Sequence, residues 1–149
     1  MDPKRAVKLD RTVGRWVYPA HRAVYRLTGG LIGHRSGTGP ILLLTTTGRR
    51  TGRARTNPLL YMQEGQDFVV VASNGGRDEA PAWSLNLKDQ PSAVVQVGRS
   101  KMRVLAEILG PGDKEALWPK LTAFYKGWGY YQQLTDRQLP VVRLRRSPR

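Results

Sequence analysis

Residues 41–62 read ILLLTTTGRRTGRARTNPLLYM, two β-prone runs joined by an arginine-rich turn. Ile41 to Thr47 is apolar and β-branched, and Gly48 and Gly52 bracket a tight reversal. The extended pattern resumes from Arg53 to Met62, which predicts a β-hairpin. Its tip and second strand carry Arg49, Arg50, Arg53 and Arg55 with no acid among them, so seven positions hold four permanent positive charges against their own repulsion. An anionic partner is the physical reason to keep them there. Guanidinium groups fork onto phosphate or carboxylate in bidentate pairs, and a glycine-bracketed turn leaves backbone amides free to donate.

Working outward, the chain of 149 residues suits one domain with one core, and its 40% apolar content argues against disorder. The longest apolar run is five residues, Phe68 to Ala72, too short for a membrane span or a secretory signal, so a cytoplasmic location is expected. With no cysteine, the chain has no disulfides, thiol nucleophiles or iron–sulfur clusters. Any redox chemistry needs a borrowed cofactor. The net charge of +14 attracts anions without choosing among nucleic acid, lipid and small ligand.

Before the hairpin, apolar Val7, Val13, Trp16, Val17, Val24 and Leu27 recur among basic residues, which predicts an amphipathic basic helix over 1–30, interrupted near Pro19 and stopped at Gly29-Gly30. It reads as a helix packed on the main fold or as one resting on an anionic membrane surface, with Trp16 and Tyr18 near the interface. Residues 31–40, rich in Gly, Ser and Thr, read as a linker into a core spanning 41–146.

After the hairpin, 64–67 reads as a turn and 68–73 as a buried strand that ends in the Asn74-Gly75-Gly76 loop. A short helix follows Pro81 over 82–88, and 93–97 with 101–109 form a second hairpin around Gly98-Arg99-Ser100. Pro111-Gly112-Asp113 opens a helix whose apolar stripe is Leu117, Trp118, Leu121, Phe124 and Tyr125. Tyr125, Trp128, Tyr130 and Tyr131 then crowd one stretch, a core plug or a pocket wall, before a last strand over 139–144. Five or six strands joined largely by hairpins, with helices between them, predict an α+β fold closing an antiparallel barrel.

His21 and His34 lack ligand spacing and no cysteine supports them, so no metal site is expected. Neither a nucleophile elbow nor a phosphate-binding G-x-x-x-x-G-K is present, which sets hydrolases and nucleotidases aside.

The run TTTGRRTGRARTNPL (45–59), then VVVASNGG (69–76), then AWSLNL (82–87), resembles the deazaflavin-dependent nitroreductases, in order and in spacing over about Gly39 to Arg143. These are split β-barrel, FMN-binding-like oxidoreductases that use the reduced deazaflavin coenzyme F420. The resemblance implies that Arg49, Arg50, Thr51 and Arg55 meet the cofactor's phosphate and polyglutamate tail. It puts Thr56, Asn57, Pro58 and Leu60 beneath the ring, Ala72, Ser73, Asn74 and Gly75 at its border, and Ala82, Trp83 and Asn86 on the far side. Asn74 departs from the lysine that relatives often carry, which removes one charge contact.

The resemblance further implies hydride transfer to a planar conjugated acceptor such as a quinone, an enone or a nitroaromatic, with the protein positioning and polarising. Ser73 is the first candidate to hydrogen-bond the oxygen that gains charge, then Tyr125 and Tyr131. Trp128 stands where the prodrug-reducing members resemble one another in having a tyrosine; an indole stacks but cannot relay a proton, which favours quinones and enones over nitro groups. Three alternatives stay open at this point: a basic nucleic-acid-binding module, although no base-reading motif is present; a carrier that binds F420 without turnover; and a split barrel that uses FMN or haem. The residues leave the oligomeric state open.

Overall fold

The computed structural model describes residues 35–36 and 39–147. The basic segment 1–30, with its membrane-surface reading, lies outside them, as do 31–34 and 37–38 of the stretch read as a linker. The rest of that stretch is already sheet: β1 (Arg35–Ser36) pairs with the first two residues of β2 (Gly39–Thr47).

The expected hairpin is β2 with β3 (Ala54–Leu60), in register from Ile41 opposite Leu60 to Thr47 opposite Ala54. Its turn closes through Gly52 N donating to Gly48 O at 2.8 Å and Gly48 N to Arg53 O at 2.8 Å. The two glycines are needed for different reasons. Gly52 has φ +70°, where a side chain is strained, while a Cβ on Gly48 would come within 2.9 Å of the Thr51 hydroxyl and 3.1 Å of Arg53 O.

One residue past β3, the chain leaves its partner. β4 (Met62–Glu64) pairs instead with β5 (Asp67–Val71), and the single residue between, Tyr61, is buried with its ring edge-on to Phe68 at 5.4 Å. β5 continues to β8 (Val141–Arg146), β8 to β7 (Ser100–Ile108), β7 to β6 (Ser92–Val97), and β6 back to the other edge of β2, every pairing antiparallel. The bend at Tyr61 therefore curls the sheet into a split barrel. An ion pair at 2.8 Å between Arg143 on β8 and Glu64 on β4 crosses β5.

Strand alternation sorts the core into two. Leu42 and Leu44 of β2, Phe68 and Val70 of β5, Val95 of β6, Val104 of β7 and Val142 and Leu144 of β8 fill the barrel. Val69 and Val71 point the other way, onto the helical layer. Both faces of β5 are thus buried, which explains its unbroken apolar run.

Helix α1 (Ala82–Asp89) puts Trp83 and Leu87 into the barrel core, and Ser84 Oγ donates back to Pro81 O at 2.8 Å. Helix α2 (Pro111–Phe124) starts on a proline, with Asp113 in its first turn, and lays Leu117 and Leu121 on Val69 and Val71. Pro119 stays within it.

The aromatic stretch is a helix, α3 (Lys126–Gln133), where the sequence offered only a plug or a wall. Two glycines and three aromatics in eight residues give weak helix propensity, so tertiary packing decides it. Trp128 is 3% exposed in the second core, and any Cβ on Gly127 would collide with the Tyr125 ring folded over it. The last strand begins two residues later than expected, at Val141.

Candidate active site

The hairpin tip is a cationic surface. Arg49, Arg50, Arg53 and Arg55 are exposed, and among the described residues none of them shares an ion pair. The tip is nonetheless anchored. Asn86 of α1 is buried and accepts from Arg49 N at 3.1 Å through its amide oxygen, while its amide nitrogen donates to Thr46 Oγ1 at 3.0 Å. Thr51 is exposed and its hydroxyl accepts from Arg53 N at 3.2 Å, which tightens the turn.

Beneath the tip, Thr56 is buried on β3 with its hydroxyl 2.8 Å from that of Thr45. Asn57 and Pro58 are half-buried opposite Leu44 and Leu43. Leu60 reaches outward to the second core, close against Gly39. On α1, Ala82 is exposed, whereas Trp83 belongs to the barrel interior and Asn86 spends both ends of its amide on the hairpin. Both side chains are buried beneath the surface that the tip presents.

The second element is the turn after β5. Ala72 is fully buried, and Ser73 heads a single 3-10 turn, Asn74–Gly76, without a side-chain capping bond. Asn74 has φ +48°, rare for a residue with a side chain, and its amide nitrogen holds Glu79 O at 2.9 Å. Gly75 follows with φ +64°.

The third element is the aromatic helix. The Tyr125 and Tyr131 hydroxyls lie 3.3 Å apart, and Tyr125 stands edge-on to Trp128 at 5.4 Å between centroids. Phe124 stacks on Trp128 at 6.2 Å. Trp128 sits behind Tyr125 in the core, so its indole shapes the wall from below, while both phenols are only partly covered.

Turn and helix are joined directly. A Cβ on Gly76 would come within 2.9 Å of both Tyr131 O and Leu134, which only glycine avoids. Arg137, which the sequence did not single out, donates from Nε to Arg77 O at 2.9 Å and from Nη2 to Ala72 O at 3.1 Å and Ser73 O at 2.9 Å. Burial lowers its pKa, and Asp78 and Glu79 oppose that shift. In TDRQLP it reads as one more solvated base; only the fold brings residue 137 to residue 73. Among the described residues no cluster of His, Asp and Glu could hold a metal.

The cationic hairpin tip, the glycine turn and the partly covered pair of tyrosines are carried on a split antiparallel barrel, the fold of solved F420-dependent reductases. The profile of F420H(2)-dependent quinone reductases matches residues 17–146. The F420H(2)-dependent quinone reductase Rv1261c of Mycobacterium tuberculosis is 39% identical over 142 residues, 93% of this chain and 95% of that protein. The solved F420-H2 dependent reductase FDR-A is 35% identical, covers 70% of this chain and 93% of its own, and superposes with a TM-score of 0.64. A structure described as a domain-swapped dimer superposes at 0.68 with 30% identity over 84% of this chain and 96% of its own. The chain belongs to the F420H(2)-dependent quinone reductase family, and is a coenzyme F420-dependent oxidoreductase.

Proposed function

We propose that the protein reduces quinones with F420H2, holding the cofactor's anionic tail at the Arg49–Arg55 hairpin tip and the quinone against the Tyr125–Tyr131 wall. The observation that carries this reading is the partly covered pair of phenols, 3.3 Å apart and backed by the buried Trp128. Two aromatic rings inclined at 63° with their hydroxyls together form an apolar corner that suits the edge of a planar conjugated acceptor with a carbonyl oxygen.

The tip supports the tail's placement. Four guanidinium groups without carboxylate partners among the described residues suit a chain of phosphate and carboxylate groups. Arg49, Arg50, Thr51 and Arg55 hold that tail. Thr56, Asn57, Pro58 and Leu60 would lie along the ring, Ser73, Asn74 and Gly75 would border it with the buried Ala72 behind them, and Ala82 would lie on its far side. Trp83 and Asn86 act from below.

When bound, reduced F420 supplies two electrons as hydride. Ser73 donates a hydrogen bond to the quinone oxygen that gains charge. The Tyr125–Tyr131 pair holds a proton for that oxygen, so one hydride and one proton convert quinone to hydroquinone. Tight packing of Trp128 behind Tyr125 keeps water from the acceptor's wall side.

Following F420H2 absorbance with menadione, cyclohexenone and a nitroimidazole tests the reading. Menadione is expected to be turned over fastest, then the enone. Turnover of only the nitroimidazole overturns the quinone assignment, and F420 binding without oxidation by any acceptor means a carrier.

A further inference from the structure

Arg137 has no assigned role, and its contacts are specific. It lies between α3 and β8, and its partly buried guanidinium donates to three neutral carbonyls, those of Ala72, Ser73 and Arg77. A surface arginine keeps its hydration shell or pairs with an acid. This one has exchanged part of that hydration for backbone dipoles on a segment 60 or more residues away in the chain.

Which carbonyls it holds is informative. Those of Ala72 and Ser73 belong to the two peptide planes on either side of the Ser73 Cα. Each plane is rigid, so fixing both sets the φ and ψ of Ser73 and with them the direction in which its side chain leaves the backbone. The Ser73 hydroxyl itself has no capping bond to hold it. Its aim therefore depends on the backbone, and the backbone depends on Arg137.

The segment that carries Arg137 is itself tied to the aromatic helix. Gln132, in α3, donates from Nε2 to Arg137 O at 2.8 Å and accepts from Leu139 N at 3.0 Å. Thr135 Oγ1 donates to Asp78 Oδ1 at 2.8 Å, closing a second link to the turn's far end. Gly76 packs on Tyr131 O from the turn's side. The segment is thus a clasp with Tyr131 at one end and Ser73 at the other.

We infer that Arg137 is a positioning residue for the reductase reaction, setting the Ser73 hydroxyl relative to the Tyr125–Tyr131 pair by gripping the peptides on either side of Ser73. The inference rests on the proposed role of Ser73 as donor to the quinone oxygen. Its effect falls on kcat, because the cofactor's tail is held at the hairpin.

A double-mutant cycle tests it, using Arg137→Met and Ser73→Ala, menadione turnover and F420 fluorescence titration. Arg137→Met alone should lower kcat about tenfold or more while F420 affinity changes less than about threefold, and in the Ser73→Ala background the further loss should shrink to about twofold. Equal loss in both backgrounds means general support of the fold and overturns the inference, as does unchanged kcat. If Arg137→Met does not fold, Arg137→Lys, which keeps the charge and loses the fork, carries the same comparison. Amide hydrogen exchange over 72–77 is read in parallel and needs no activity: protection there should fall in the variant, and unchanged protection sinks the clasp. Wild-type protein that oxidises no F420H2 with menadione instead refutes the proposed reaction, while the exchange result still decides whether the clasp exists.

Discussion

Arg49 and Arg55 are exposed, lie on one hairpin and have no ion-pair partner among the described residues, so little in the folded protein depends on their charge. Replacing either with Ala should leave the melting temperature almost unchanged and weaken F420 binding by roughly 1.5–3 kcal/mol, the range of a charge-assisted hydrogen bond. Fluorescence titration beside a thermal melt separates the two effects. Gly127 is the opposite case, a residue without chemistry whose absent side chain matters. Its missing Cβ makes room for the Tyr125 ring, which in turn reaches Tyr131. Gly127→Ala should push that ring aside and break the phenol pair, lowering kcat/KM for menadione about tenfold with F420 affinity retained. A parallel fall in cofactor affinity would show that the phenols touch the cofactor rather than the acceptor.

The elements differ in how firmly each is tied. The hairpin tip, exposed and self-repelling, is anchored to α1 by one buried amide, since Asn86 receives Arg49 N and donates to Thr46. Asn86→Leu keeps the branched shape and removes both bonds, leaving the buried Thr46 hydroxyl without this partner. The cost should be about 1–3 kcal/mol of stability, read by denaturant unfolding, with weaker F420 binding because the tip loses its anchor. A stability loss without any change in affinity would mean that the tip holds its shape unaided. Residues 41–62 announce this hairpin openly, because alternation, β-branching and bracketing glycines all agree there. Helix α3 was not legible in the same way. Its glycines and aromatics argue locally against a helix, and only the burial of Trp128 and the fit of Gly127 under Tyr125 make one.

For the whole molecule, the net charge of +14 is an attraction without an address until the fold sorts it. Arg143 and Arg145 pair with Glu64 and Glu107 on the sheet, whereas the tip's four arginines are left uncompensated among the described residues. Raising salt from about 50 to 500 mM should therefore weaken F420 binding by screening, and Arg49→Ala should flatten that dependence. Titrations at several salt concentrations check this. A slope that Arg49→Ala does not change would move the anionic tail away from the tip.

Chain order alone was enough to identify the β2–β3 hairpin, the basic tip and the glycine turn after β5, because each is written in contiguous residues whose local preferences match their final state, while the split barrel was implied by the family resemblance. The tertiary structure alone decided the rest. It bent the chain at Tyr61 to curl the sheet, buried Trp83 in the barrel and tied Asn86 to the hairpin, and set Trp128 behind Tyr125. It also brought Arg137 onto the carbonyls of Ala72 and Ser73. These are contacts between segments far apart in the chain, and their energy comes from burial and hydrogen-bond geometry that no local pattern encodes.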